Sequence, residues 1–101
     1  MSVILEQLMP EGVSLQMLDE VTDEMGVDRD PPEGLLVHAH FEQDGQIRIV
    51  DVWDSQEAYE RFREDRLLPA MQAVAQRSGA EQPPQDPDTS ITPVHRVVRG
   101  R

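Results

Sequence analysis

Between Gly34 and Phe62 apolar and polar positions alternate, reverse and alternate again. Leu35 to Glu42 and Gln46 to Trp53 both read with the period of two that marks a strand. Asp44-Gly45 between them suits the two-residue hairpin turn that matches strand twist and needs positive φ at both central positions. Counting outward from that turn opposes Gln43 to Gln46, His40 to Ile49, His38 to Asp51 and Leu36 to Trp53. One face of the hairpin then carries Leu36, His38, His40, Ile49, Asp51 and Trp53. The other carries Leu35, Val37, Ala39, Phe41, Val50 and Val52, with Arg48 and Asp54 near its ends.

The flanking segments complete an α+β pattern. Val3 to Met9 predicts a first strand, its alternation blurred by Glu6 and Gln7 and ended by Pro10-Glu11-Gly12. Ser14 caps a helix expected over Leu15–Met25, with Val13 and Leu18 as a hydrophobic staple and Gly26 as the stop. Its inward stripe is Leu15, Leu18, Val21, Thr22 and Met25. Asp28 to Gly34 reads as a loop. Asp54 or Ser55 caps a second helix, Asp54 with Glu57 fitting a capping box, and Glu57 and Arg61 form an i,i+4 pair. Tyr59, Phe62, Leu67, Met71 and Val74 share one side of that helix. Pro69 removes a helical donor, so a kink or break is expected near Leu68, with a short helix from Pro69 to about Gln76. Ala80 to Asp88 is a polar, Pro-rich connection. Ser90 to Val98 predicts a last strand carrying Pro93 and His95, and residues 99–101 a frayed basic tail.

The order β-α-β-β-α-β in a single domain over residues 1–101 predicts a ferredoxin-like, four-stranded antiparallel sheet with both helices on one face. The branched aliphatic face, with Phe41 and Val50, is assigned to the helices. The face with His38 and Trp53 is then left open. Leu36, Ile49 and Trp53 would make it a large exposed apolar patch, and covering it with a second copy in a two-fold dimer is the simplest remedy.

Composition narrows the chemistry. The net charge of −11 argues against nucleic acid and anionic membrane as partners. With no cysteine, thiolate catalysis, disulfides and Cys-ligated zinc are excluded, and with no lysine so is Schiff-base chemistry. No 18-residue apolar run suggests a membrane span, and the N-terminal segment does not read as a secretory signal, so a cytoplasmic location is the expectation. The acidic stretch from Glu11 to Glu33 reads as a solvated surface.

PPEGLLVHAHFEQDG followed by VDVWDSQEAYERFREDRLLPAM resembles the dimeric α/β-barrel superfamily, in the branch of small antibiotic-biosynthesis-monooxygenase-like proteins. The most specific parts are Pro32-x-Gly34, His38, and Trp53-x-Ser55 before a helix with Phe62 and Leu68-Pro69. The resemblance implies two ferredoxin-like subunits packed sheet against sheet, each with a pocket between its sheet and helices or inside the barrel. It also implies cofactor-independent oxygenation of an aromatic or polyketide-like substrate as one activity among several that this fold supports. The haem-degrading members use a histidine on the second helix and an asparagine from an early strand. This chain has Arg61, Phe62 and Arg66 in the first region and no asparagine at all.

His38 and Asp51 are the candidate catalytic pair. A carboxylate bonded to imidazole fixes its tautomer and raises its basicity, which in an apolar pocket equips it to remove a proton from a phenol or activated carbon acid. The alternative is a purely structural hydrogen bond. Leu36, His40, Ile49 and Trp53 are the expected substrate-binding walls for a small hydrophobic or aromatic molecule. No cofactor is expected. His38, His40 and Asp51 have the composition of a two-histidine, one-carboxylate metal site, but neighbouring strand residues project in parallel instead of converging. Three readings remain: an oxygenase, a non-catalytic dimer module or ligand sensor, and a haem or metal binder.

Overall fold

The computed structural model describes residues 1–79 and 86–100. Most of the Pro-rich connection, and Arg101 of the basic tail, lie outside the described residues. Strands β1 (Val3–Leu8), β2 (Leu35–Gln43), β3 (Gln46–Trp53) and β4 (Asp88–Pro93) form one sheet in the order β2-β3-β1-β4. Every pairing is antiparallel, as the ferredoxin-like reading requires. Helix α1 (Leu15–Met25) follows β1, and α2 (Gln56–Phe62) follows β3.

Local chemistry explains these boundaries. Ser14 accepts a hydrogen bond from the Met17 amide, and Gly26 ends α1 in the left-handed region at φ 68°. For α2 the cap is Ser55, which accepts from the Ala58 amide. Asp54 and Gly45 make different uses of close quarters: Asp44 (φ 54°) and Gly45 (φ 79°) build the hairpin turn, whereas Asp54 donates its amide to the Gly34 carbonyl at 2.8 Å.

The disturbance expected near Leu68 is a π-helical turn, Arg63–Leu67, in which the Leu68 amide reaches back to the Arg63 carbonyl. It runs without interruption into α3 (Leu68–Arg77), where Pro69 sits in the first turn and its missing N–H is tolerated. α2, the π turn and α3 form one helical arm. The last strand stops at Pro93 and not at Val98, with one further backbone bond, from the Val94 amide to the Ser2 carbonyl at 2.9 Å. His95 therefore lies beyond the sheet, exposed.

Two sequence expectations about the hairpin are corrected. A bulge between Leu35 and Val37 shifts the register, so that Leu35 and not Leu36 opposes Trp53. Closer to the turn the pairs His38–Asp51 and His40–Ile49 form as expected. More important, the two faces are reversed. Trp53 is completely buried and Asp51 nearly so beneath the helices, while Val37 is 53% exposed and Phe41 38%. The surface carrying Phe41 and Val50 is the open one, and the histidine–indole surface meets the helical layer. The aromatic residues decide this. Trp53 packs against Tyr59 and Phe62 of α2, with ring centroids 5.8 and 5.1 Å apart, and that contact is available only on the helix side.

Gly34 is where β2 leaves the loop. Its φ of +89° disfavours any side chain, and a Cβ there would stand 2.6 Å from that of Ala58 and 2.7 Å from an Asp54 carboxylate oxygen. Gly34→Ala is therefore expected to cost about 2 kcal/mol or more. The check is a lower urea midpoint with an unchanged denaturant slope.

Candidate functional site

Helix α1 has no fully buried residue. Its expected stripe does face inward, except Leu15, which is partly exposed, but beneath it lies a cavity. Leu18, Val21, Thr22 and Met25 of α1 form the roof. Leu5, Gln7, Leu35, His38, His40, Ile49, Asp51 and Trp53 of the sheet form the floor, and Tyr59, Phe62 and Leu67 of the helical arm one wall. Its free space is about 80 Å³, less than the roughly 150 Å³ that admits benzene to an engineered apolar cavity. A larger ligand requires α1 to move outward.

Five side chains run in a hydrogen-bonded chain from the buried end of this cavity to its mouth. Trp53 Nε1–H donates to Asp51 Oδ2 at 3.1 Å. The other Asp51 oxygen lies 2.6 Å from His38 Nδ1. His38 Nε2 lies 3.0 Å from His40 Nδ1, and His40 Nε2 lies 2.8 Å from Asp19 Oδ1 on α1. A carboxylate only accepts, so His38 Nδ1 carries a hydrogen where it meets Asp51. The carboxylate thus fixes the tautomer and leaves Nε2 as the basic nitrogen.

Tyr59 adds a hydroxyl to the wall. Burial pushes its phenol above the ordinary value; the Arg63 guanidinium pulls the other way, and the Asp51 carboxylate adds to the rise. Tyr59 therefore stays protonated through the neutral range and can donate a hydrogen bond.

Of the residues named from sequence, His38, His40, Ile49, Asp51 and Trp53 come together, on the helix side of the sheet. Leu36 does not join them, because the bulge gives its place to Leu35. Asp19, Gln7 and Tyr59 were not singled out. Asp19 lay hidden in an acidic run, although its position one residue after Leu18 puts it beside the inward stripe. Arg66 donates to the Met25 carbonyl at 2.7 Å, tying the end of α1 to the π turn. Among the described residues no three ligating side chains converge on a metal-sized site: His38 and His40 direct their nitrogens at carboxylates and at each other. No helix among the described residues is long and apolar enough to cross a membrane.

The architecture is the ferredoxin-like fold, which solved structures including two antibiotic-biosynthesis-monooxygenase-like proteins share. Rv0793 of Mycobacterium tuberculosis superposes with a TM-score of 0.60 at 15% identity, over 96% of this chain and 98% of that one. SnoaB, a cofactor-independent oxygenase from Streptomyces nogalater, gives 0.58 at 14% identity over 98% and 97%. MhuD, in a form with two manganese protoporphyrin IX molecules per active site, gives 0.54 at 16% identity over 99% and 100%. No family model and no curated protein matches the sequence. At these identities the likeness is one of fold.

Proposed function

We propose that the cavity binds a small aromatic or enolisable molecule and that His38, held by Asp51, takes a proton from it. The observation that carries this reading is the 2.6 Å Asp51–His38 contact at the floor of an otherwise largely apolar cavity. An imidazole so oriented is a competent general base. Removing a proton from an activated CH₂ leaves a carbanion able to reduce dioxygen directly. The adduct takes up a proton and collapses, so that R₂CH₂ and O₂ give R₂C=O and water with no cofactor. Under this reading Tyr59, a protonated phenol in the cavity wall, supplies a donor for the developing oxyanion. The cofactor-independent oxygenase named among the structural neighbours supports this version. The test is oxygen uptake with hydroxylated anthrone-like and hydroquinone-like compounds, in the unaltered chain and in Asp51→Asn. Turnover that is indifferent to that substitution would overturn the assignment.

A second reading, a ligand-binding module without turnover, is favoured by one observation: both nitrogens of His38 already have partners. Saturable binding of the same compounds without oxygen uptake would establish it in place of the first.

The open sheet face is the proposed homodimer interface, with a different set of residues from that read in the sequence. Ile4, Val37, Phe41, Val50 and Val52 lie on it. Arg48 on the same face has its Nε enclosed without a partner among the described residues, and Glu6 shares that face to supply an acceptor from a second copy. Sedimentation equilibrium is expected to give a dimer mass for the unaltered chain and a monomer mass for Val37→Asp. A monomer mass for both would rule out this interface.

A further inference from the structure

The hydrogen-bonded chain from Asp51 to Asp19 contains more contacts than two neutral imidazoles can satisfy. His38 Nδ1 and His40 Nε2 both face carboxylate oxygens, so both carry hydrogen. That leaves His38 Nε2 and His40 Nδ1, 3.0 Å apart, with two lone pairs and no proton if each ring is neutral. The contact is attractive only when one further proton lies between them. With all of these contacts made at once, the geometry calls for three ring protons on two rings, an imidazolium shared by the pair between two carboxylates.

Asp19 belongs to α1, the roof of the cavity, whereas both histidines belong to β2. We propose that His40 and Asp19 form a proton-operated latch: a proton arriving on the His38–His40 pair completes the chain to Asp19 and draws α1 down over the cavity. Loss of that proton sets two lone pairs against each other, breaks the link and frees His38 Nε2 to face the cavity. This rests on the proposed reaction for its use, since the proton that closes the latch is the one His38 takes from the ligand. Anion formation then draws α1 toward the ligand as far as the ligand's bulk allows, and helps to shield the anion from water while it reacts. His40 and Asp19 act as positioning residues. The small free volume of the cavity fits the closed state.

The titratable groups bonded to the pair are Asp19 from α1 and Asp51 from β3, and the protonated Tyr59 from α2 lines the same cavity. No arginine is among the residues lining the cavity. The sign follows from proton counting: the latch is shut at low pH and opens as pH rises through the titration of the pair.

The test needs no substrate. Amide hydrogen exchange across α1, corrected for the intrinsic pH dependence of exchange, is measured at pH 5.5 and 8.0 alongside ring ¹⁵N shifts of both histidines. For the unaltered chain we expect protection about threefold greater at the lower pH, in line with a partly exposed ion pair, and shifts of His38 and His40 that move together. An amide can donate or accept, so Asp19→Asn bonds His40 in either state and should abolish the pH difference while keeping protection. His40→Leu removes the link and should lose the low-pH gain. Equal protection at both pH values in the unaltered chain, or histidines that titrate independently, overturns the latch. Either result leaves oxygen uptake to be judged by its own assay, and absence of uptake leaves the latch to be judged by exchange.

Discussion

Trp53→Ala is expected to cost about 3–5 kcal/mol, a large share of the stability of a domain this small. Three losses combine. Trp53 is fully buried, so its removal leaves a void that the sheet floor cannot close. Its edge contacts with Tyr59 and Phe62 disappear, and these are what hold α2 to β3. Asp51 also loses the donor at its Oδ2, leaving a buried carboxylate short of one bond. Trp53→Phe separates these terms in part, since it keeps an aromatic ring for the cluster while removing the N–H and the five-membered part of the indole. It should cost about 1–3 kcal/mol. Urea unfolding followed by far-ultraviolet circular dichroism reads both values. A loss below about 1 kcal/mol in Trp53→Ala would show that the aromatic cluster does not anchor the arm.

The same cluster marks the limit of what the sequence discloses. Element order, the Asp44-Gly45 turn, both Ser and Gly caps and the His38–Asp51 pairing follow from local rules, since each depends on residues close in the chain or on counting from a turn. Which hairpin face meets the helices is not local. Both faces carry apolar bulk, and assigning the one without histidines or Asp51 to the core follows the ordinary cost of burying charge. Here that cost is offset, because Asp51 has two donors, Trp53 Nε1–H and His38 Nδ1–H. Uniting Trp53 with Tyr59 and Phe62 on one side would have given the right orientation from sequence. The bulge that exchanges Leu36 for Leu35 left no such sign. Asp19 became significant only when α1 was seen to cross the end of β2.

Asp51→Asn is expected to lower the rate of any proton-abstracting turnover by about 10²–10⁴ while changing stability by less than about 1 kcal/mol. The amide is nearly isosteric, and its oxygen can still accept from Trp53 Nε1. Its NH₂ then faces His38 Nδ1, which must become an acceptor. The ring proton moves to Nε2, and the nitrogen that served as base becomes a donor to His40. In that tautomer His40 Nδ1 accepts, His40 Nε2 donates to Asp19, and the chain is complete with two neutral rings. One substitution thus removes the base and fixes the roof shut at every pH. Two independent measurements should move together: oxygen uptake falls, and the pH dependence of α1 exchange vanishes. His38→Ala would match the first effect, since it also removes the base. Turnover within tenfold of the unaltered chain, in an Asp51→Asn protein whose ¹⁵N shifts show the exchanged tautomer, would remove His38 from the chemistry altogether.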